Sequence, residues 1–173
     1  MSRMLARMLL VPCLGVTLLT APASAQTLPR DATEGLSGLP VPRYVSLSAG
    51  LANMRSGPGD KYPITWVYHR AGLPLKVIKE YGIWRQVEDP DGSVGWMNKN
   101  LLTGVRAAMV VNGIRLLYVR PDDNSRLLWR AEPGVVGTIS DCSRGWCKLS
   151  IGQRSGFIRT DGLWGVDPNE ELD

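Results

Sequence analysis

The sequence predicts an all-β protein made of two similar small units in tandem. Short runs of alternating apolar and other residues are separated by turns rich in Gly, Pro and Asp, at intervals of about 10 residues, as in small barrels or sandwiches. The second half of the chain repeats the pattern of the first at an offset of about 62 residues. No window outside the N-terminal segment has the 3.6-residue period of a helix. These observations favour two domain-sized units rather than a solenoid.

Residues 1–25 are predicted to be a signal peptide, so that the protein is exported to the periplasm or secreted. Arg3 and Arg7 precede the uncharged apolar run Met8–Leu19, and Ala23–Ala25 has small residues at the positions that signal peptidase recognises. The apolar run is shorter than the roughly 20 residues that a membrane-spanning helix needs. We therefore expect no integral membrane segment after signal cleavage.

Residues 26–42 are predicted to form an extended linker, because prolines and glycines recur there without an apolar period.

The net charge of +4 decreases when the two signal-peptide arginines are removed. The remaining Lys and Arg residues do not form the run or cluster expected of a nucleic-acid binder, so we expect no nucleic-acid partner. The last residues, 168–173, are predicted to be an acidic tail.

The two units are placed at 43–104 and 105–167 by their matching segments. Within the first unit, residues 73–77 alternate with the period of a half-buried strand. The sequence D-P-D-G at 89–92 is a turn, since proline presets φ and glycine accepts a positive φ. The matching segments are Ala71–Val77 with Pro133–Ile139, Trp84–Val87 with Trp146–Leu149, and Gly95–Met97 with Gly156–Ile158.

The two cysteines outside the signal peptide, Cys142 and Cys147, are predicted to form a disulfide. An even number of cysteines in an exported protein favours a disulfide, and this pair can face each other across a hairpin. A metal site would need further ligands, and His69 is the only histidine, so we expect no metal and no cofactor. Cys13 could instead mark a lipoprotein signal, although the proline beside it fits that signal poorly.

No complete catalytic set is evident, and the protein is predicted not to be an enzyme. No serine lies in a G-x-S-x-G setting. Asp89 and Asp91 could form a carboxylate pair or a Ca²⁺ site, but the D-P-D-G turn accounts for both. The heptad N-M-R-S-G-P-G at 53–59 is not predicted to be a phosphate-binding loop. Such a loop has a lysine after its second glycine, whereas this chain has Asp60 there.

These motifs resemble those of bacterial Src-homology-3 (SH3b) domains. That pattern runs N-V-R-x-G-P-G, an apolar strand with glycine, G-W-x-x-V, a D-G turn and G-W-V. The first unit matches it with N-M-R-S-G-P-G, A-G-L-P-L-K-V, I-W-R-Q-V, D-P-D-G and G-W-M. The second keeps W-C-K-L and G-F-I but has Y-V-R-P-D in place of the glycine loop. The chain is similar to an exported two-copy family of alphaproteobacterial type, which implies a pair of five-stranded barrels.

Two tryptophans are candidates for a binding groove. Val87 and Leu149 end their strands and are predicted to point into the barrels. Trp84 and Trp146 lie three positions earlier, so the period of two predicts them on the opposite, outer face. Large aromatic side chains there could line a groove, or each could pack under a loop or against the other unit. The sequence leaves both alternatives open.

The resemblance adds further candidate groove residues and a ligand class. The candidate ligand-binding residues are Arg55, Tyr62, Trp84, Trp96, Asn98 and Trp146. Asn98 and Leu101 replace a proline and a tyrosine of eukaryotic members, so a polyproline ligand is not expected. Bacterial members often serve cell-wall enzymes or adaptors, which implies peptidoglycan as the ligand by analogy. An envelope protein bound without any cell-wall ligand is the alternative partner.

Overall fold

The computed structural model describes residues 33–173, and the predicted signal peptide lies outside them. The described chain consists of short β-strands and two single-turn 3-10 helices. In chain order the elements are β1 (Thr33–Glu34), β2 (Pro40–Val41), β3 (Arg43–Leu47), β4 (Ala52–Arg55), β5 (Ile64–Tyr68), β6 (Pro74–Tyr81), β7 (Trp84–Glu88), β8 (Val94–Asn98), η1 (Lys99–Leu101), β9 (Leu102–Thr103), β10 (Ala107–Val110), β11 (Arg115–Tyr118), β12 (Leu127–Ala131), β13 (Val136–Ser143), β14 (Trp146–Ile151), β15 (Arg154–Arg159), η2 (Thr160–Gly162) and β16 (Leu163–Trp164). Within this range, no helix has the length and apolar character needed to cross a membrane.

Two sheets with the same topology contain most of the strands. The first has the order β5-β4-β8-β7-β6-β3-β9 and the second β12-β11-β15-β14-β13-β10-β16. Every strand of the second sheet therefore has its counterpart at the same place in the first. The structure confirms the all-β class and the tandem organisation. The first sheet with its loops, 43–103, is named barrel 1, and the second, 107–164, is named barrel 2.

Each sheet has seven strands, whereas the resemblance implied five. The two additional strands come from the long loop that contains N-M-R-S-G-P-G. In barrel 1 its two sides, β4 and β5, pair with each other from Ala52 opposite Tyr68 to Arg55 opposite Ile64. Arg55 also lies opposite Trp96, which joins this hairpin to β8. Barrel 2 repeats the arrangement with β11 and β12.

Each barrel has an apolar core on the inner face of its strands. In barrel 1, Leu75 and Val77 of β6 and Val87 of β7 are fully buried. Leu149 occupies the position of Val87 in the core of barrel 2. Burying each such side chain stabilises the fold by about 1.5–3 kcal/mol. The prediction that Val87 and Leu149 point inward is confirmed.

The structure has a hairpin where the sequence predicts an extended linker. Strands β1 and β2 pair antiparallel, and Val41 packs into the core of barrel 1. Glu80 holds the hairpin, with its side chain only 1% exposed. Its carboxylate accepts hydrogen bonds from the backbone N–H and the hydroxyl of Ser37 at 2.7 and 2.8 Å. It also pairs with Arg43 at 2.7 Å and Arg85 at 3.0 Å. A buried carboxylate is stable only with such partners. These contacts order the hairpin, although the composition of the segment predicts no regular structure.

Cys142 and Cys147 form the predicted disulfide. The pair joins β13 to β14, and both cysteines are buried in the core of barrel 2.

The C-terminal acidic tail packs against the same barrel, because the backbones of Leu172 and Cys142 exchange hydrogen bonds of 2.8 and 3.0 Å. Glu170 of the tail pairs with Arg106 at 2.5 Å.

The two barrels contact each other directly. Arg70 donates a hydrogen bond of 2.8 Å to the backbone carbonyl of Gly134. Tyr44 of β3 packs edge-on against Trp164 of β16, with ring centroids 5.7 Å apart. These contacts place β3 of barrel 1 beside the end of barrel 2. Next to them lies a cleft between barrel 1 and the C-terminal segment 167–170.

Candidate functional site

Four of the predicted groove residues share the outer face of barrel 1. Trp84 of β7 lies opposite Asn98 of β8, and Gln86 lies opposite Trp96. Trp96 lies in turn opposite Arg55 of β4. Directly paired residues of antiparallel strands project from the same face of the sheet. The register therefore brings these four candidates together on one surface.

Tyr62, the fifth candidate in barrel 1, is positioned by the glycine loop. Arg55 donates from Nη1 to the backbone carbonyl oxygens of Asp60 and Tyr62, at 3.0 and 2.8 Å. The ring of Tyr62 lies so close to Gly57 that a Cβ there would overlap it, which explains the glycine. Arg55 is thus a positioning residue for the loop, and Tyr62 remains 47% exposed.

Trp84 and Trp146 lie on the face opposite the core, as the period of two predicts, but both are buried there. Their exposed fractions are 8% and 5%, although neither belongs to the apolar core of its barrel. The period of two places a side chain on one face but carries no information about what covers that face. The structure supports the packing alternative that the sequence left open. Trp96, which is half-buried, is more accessible than either.

In barrel 2 the tryptophan is covered by Tyr118 and Arg159. The ring of Tyr118 meets the ring of Trp146 edge-on at 5.8 Å, and the guanidinium carbon of Arg159 lies 4.3 Å from the ring centroid. Asp123 pairs with Arg159, and this hydrogen bond lowers the pKa of the Asp123 carboxyl. Asn98 of barrel 1 occupies the register position that Arg159 holds in barrel 2. Barrel 1 therefore lacks this cationic cover.

Asn98 has a local structural role as well. Its side-chain oxygen accepts a hydrogen bond of 3.0 Å from the backbone N–H of Asn100 and caps the 3-10 helix η1. Short polar side chains commonly close such turns. The amide N–H groups of Asn98 take no part in this cap.

The Asp89 carboxylate of the D-P-D-G turn is accounted for by its contacts. Asp89 is 4% exposed and accepts hydrogen bonds from the backbone N–H groups of Asp91 and Ser93, at 3.0 and 2.8 Å. It also accepts one from the Tyr68 hydroxyl at 2.8 Å. Burial raises the pKa of Tyr68, and the bond to Asp89 raises it further. In residues 33–173 no three His, Cys, Asp or Glu side chains are grouped to hold a metal ion.

The sequence analysis missed exposed apolar residues on the edge strands. Ile64 and Trp66 of β5 are 47% and 57% exposed. Trp129 of β12 is 39% exposed, and the guanidinium of Arg154 lies 4.6 Å from its ring centroid. A run such as I-T-W-V-Y is typical of a half-buried or buried strand. Its position at a sheet edge becomes visible only from the topology.

The cleft between barrel 1 and the C-terminal segment 167–170 was also missed. It has a volume of about 900 Å³ and includes Tyr44 among its lining residues. Lys76 Nζ and Arg106 Cζ lie 5.0 and 5.6 Å from the centroid of that ring. Burial raises the pKa of Tyr44 to about 12, and the charges of Asp167 and Glu170 contribute in the same direction. The phenol is therefore protonated at neutral pH and can donate a hydrogen bond.

The protein is thus a tandem pair of small β-barrels. The outer face of the first barrel is partly exposed and aromatic. The chain belongs to the bacterial SH3 domain family, whose model matches residues 48–104 and 113–165. The match confirms the resemblance that the motifs indicate, and it includes the second copy despite its altered first loop.

One curated relative is described as "Putative N-acetylmuramoyl-L-alanine amidase YrvJ" of Bacillus subtilis (strain 168). It is 29% identical over 122 residues, which are 63% of this chain and 23% of that protein. Solved structures of NlpC2 and NlpC1 from Trichomonas vaginalis match at 15% and 14% identity, each with a TM-score of 0.34. They cover 73% and 79% of this chain and 51% and 50% of their own chains. At this TM-score the two structures carry no argument about function.

Proposed function

We propose that the protein is a non-catalytic, exported module that binds peptidoglycan through the outer face of barrel 1. The supporting observation is that its two bacterial SH3 barrels resemble part of a protein whose name denotes an amidase of N-acetylmuramoyl-L-alanine, a component of peptidoglycan. The chain spans less than a quarter of that relative's length, so the amidase activity is not carried over. The predicted signal peptide supports the proposal that the protein acts in the periplasm or outside the cell.

The outer face of barrel 1 offers a row of side chains suited to a polymer ligand. Ile64, Arg55, Trp96 and Gln86 follow one another across four strands as direct cross-strand neighbours. Trp96 supplies an aromatic surface and Gln86 supplies hydrogen-bonding groups, the combination that binding surfaces commonly use. Tyr62 is exposed at the adjoining loop.

Barrel 2 is the weaker candidate for the same role. Phe157 holds the position of Trp96 in the register, opposite Tyr118 and Lys148. Arg159 and Tyr118 already cover Trp146 there, so Trp146 is assigned to packing. We therefore place the peptidoglycan contact on barrel 1.

Truncating Trp96 to alanine should weaken binding to purified sacculi by at least tenfold. Loss of a central aromatic contact typically costs more than 1 kcal/mol, and about 1.4 kcal/mol corresponds to tenfold. The measurement is co-sedimentation of the full chain with sacculi over a range of protein concentrations. Runs at low and at moderate salt separate specific binding from charge attraction.

Phe157→Ala is the matched control, because Phe157 is half-buried at the equivalent position of barrel 2. It should leave the affinity for sacculi unchanged. Circular dichroism and thermal unfolding must show that both variants are folded. A wild-type chain that stays in the supernatant at both salt concentrations would rule out peptidoglycan as the ligand. Equal losses in both variants would move the contact away from the outer face of barrel 1.

An envelope protein is the second candidate ligand, and the exposed edge strand β5 favours it. Trp66 and Ile64 are apolar and exposed beside an unpaired strand edge, where another chain can add a strand. On this hypothesis Trp66→Ser abolishes cross-linking to an envelope protein, while the wild-type chain fails to sediment with sacculi. Sedimentation that is insensitive to Trp66→Ser supports the peptidoglycan proposal instead.

A further inference from the structure

The cleft between barrel 1 and the C-terminal segment 167–170 has the size of a ligand site and shares no residue with the outer face of barrel 1. Its walls come from the N-terminal hairpin, from β3, from the first residue of η1 and from residues 167–170. Its volume of about 900 Å³ lies within the range of roughly 300–1,000 Å³ that small-ligand sites occupy. Its lining combines residues of barrel 1 with residues of the connection to barrel 2 and of the C-terminal segment 167–170, so barrel 1 alone would not form this site.

The lining of the cleft is positively charged. The cationic side chains on its walls are Arg43, Lys76, Arg85, Lys99 and Arg106. Asp167 and Glu170 are the carboxylates among the lining residues, and the buried Glu80 pairs with two of the arginines. Counting all three carboxylates, the cations remain in excess by two. A cleft lined mainly by one sign of charge concentrates ligands of the opposite sign.

Two of these cations are available to a ligand. Lys99 is exposed and lies within 4 Å of no carboxylate of residues 33–173. Among the carboxylates of residues 33–173, Lys76 pairs only with that of Asp167, at 3.5 Å, and the Asp167 side chain is 56% exposed. Such surface pairs stabilise by about 0–1 kcal/mol. An incoming carboxylate can therefore replace Asp167 at low cost.

The other charged groups are held in place by internal pairs. Burial alone would raise the pKa of Glu170, but the hydrogen bonds from Arg106 and from the backbone of Asp167 lower it below its usual value. Arg106 is thus neutralised and fixed beside Tyr44. Beside Lys76 and Arg106, the Tyr44 ring contributes an aromatic surface and a protonated hydroxyl. The cleft combines two available cations with one donor and one aromatic ring.

We infer that this cleft binds a short peptide that carries at least two carboxylates. Lys76 and Lys99 each bind one carboxylate, and Tyr44 packs against the peptide backbone between them. The volume accommodates a few residues, and the excess positive charge selects acidic over neutral peptides. Stem peptides of peptidoglycan and acidic segments of proteins share this chemistry. The inference does not rest on the proposed function, because the two surfaces have no residue in common.

The test is titration calorimetry of the full chain with acetyl-Ala-Glu-Glu and with its neutral counterpart, acetyl-Ala-Gln-Gln-amide. The acidic peptide should bind at least tenfold more tightly, and its affinity should decrease with salt. The double variant Lys76→Gln/Lys99→Gln should weaken its binding at least tenfold. The double variant Lys61→Gln/Lys79→Gln, which removes the same charge from exposed positions outside the cleft, should leave it unchanged.

The outcomes separate the cleft from alternatives. Equal affinity for the two peptides, or equal losses in the two double variants, would overturn the inference. Tyr44→Phe, which keeps the ring, should reduce the affinity severalfold without lowering the thermal unfolding temperature. Stem peptides released from sacculi serve as a further probe: tighter binding than the synthetic peptide identifies peptidoglycan as the source, and weaker binding identifies a protein segment. Trp96→Ala should leave acidic-peptide binding unchanged, which distinguishes failure of this site from failure of the outer face.

Discussion

Replacing Glu80 with alanine should lower the free energy of unfolding of barrel 1 by about 3–5 kcal/mol, the cost of removing one partner from a buried ion pair. The carboxylate is 1% exposed and neutralises both Arg43 and Arg85. It also anchors the N-terminal hairpin through two hydrogen bonds with Ser37. Its loss leaves a largely buried guanidinium at Arg85 without a counter-charge. Urea unfolding followed by tryptophan fluorescence measures the change.

Glu132→Ala is the control for this substitution. The side chain of Glu132 is exposed in barrel 2, and replacing such a residue usually changes stability by less than about 0.5 kcal/mol. Glu80→Gln keeps the shape and one acceptor but removes the charge, so its effect should lie between those of the control and the alanine variant. A loss below about 1 kcal/mol for Glu80→Ala would show that the hairpin and its ion pairs contribute little.

The stability of barrel 1 should also depend on pH through Glu80. Burial alone would raise the pKa of this carboxyl, but the hydrogen bonds from Ser37 and Arg43 and the charge of Arg85 lower it below the ordinary value. The unfolded chain therefore binds the proton more tightly than the native state. The stabilising contribution is fully present above the unfolded pKa of about 4.3 and is lost as pH falls through the native value.

Urea titrations of wild type and Glu80→Gln from pH 7 to pH 2.5 test this dependence. The gap in unfolding free energy between the two should be constant above about pH 5 and should narrow at lower pH. Comparing the two proteins removes the contribution of Glu170, whose pKa is also lowered. A gap that does not change with pH would contradict the assignment to Glu80.

The features that the sequence predicts well are those set by local periodicity. The period of two placed Val87 and Leu149 in the cores, and the internal repeat placed two equivalent sheets. The disulfide followed from the proximity of Cys142 and Cys147 in one hairpin. In each case the deciding interaction joins residues that are close in sequence or related by the repeat.

The features that the sequence did not reveal depend on contacts between distant segments. Trp146 is buried because Arg159 covers it, and Arg159 is held by Asp123, 36 residues earlier. The hairpin in the predicted linker is ordered by Glu80, 43 residues after Ser37. A motif that repeats in each barrel carries no information about such pairs. The cleft is a further case, since its lining comes from both ends of the described chain.

Replacing both Cys142 and Cys147 with alanine should lower the free energy of unfolding of barrel 2 by about 2–5 kcal/mol. The chain-entropy contribution of so short a loop is roughly 2 kcal/mol. The larger values arise because both sulfur atoms lie in the apolar core, where their removal leaves space. Loss of core packing at Cys142 also weakens the site at which Leu172 pairs with the backbone.

Urea unfolding of the double variant should show the loss in the transition of barrel 2 and leave that of barrel 1 unchanged, because the disulfide contacts only the second core. Ser143→Ala, an exposed residue of the same hairpin, is the control and should change stability by less than about 0.5 kcal/mol. Reductant should shift the wild-type transition but not that of the variant. Thiol labelling of the denatured, unreduced protein should modify neither Cys142 nor Cys147, and labelling of either one would show that the bond does not form in the purified protein.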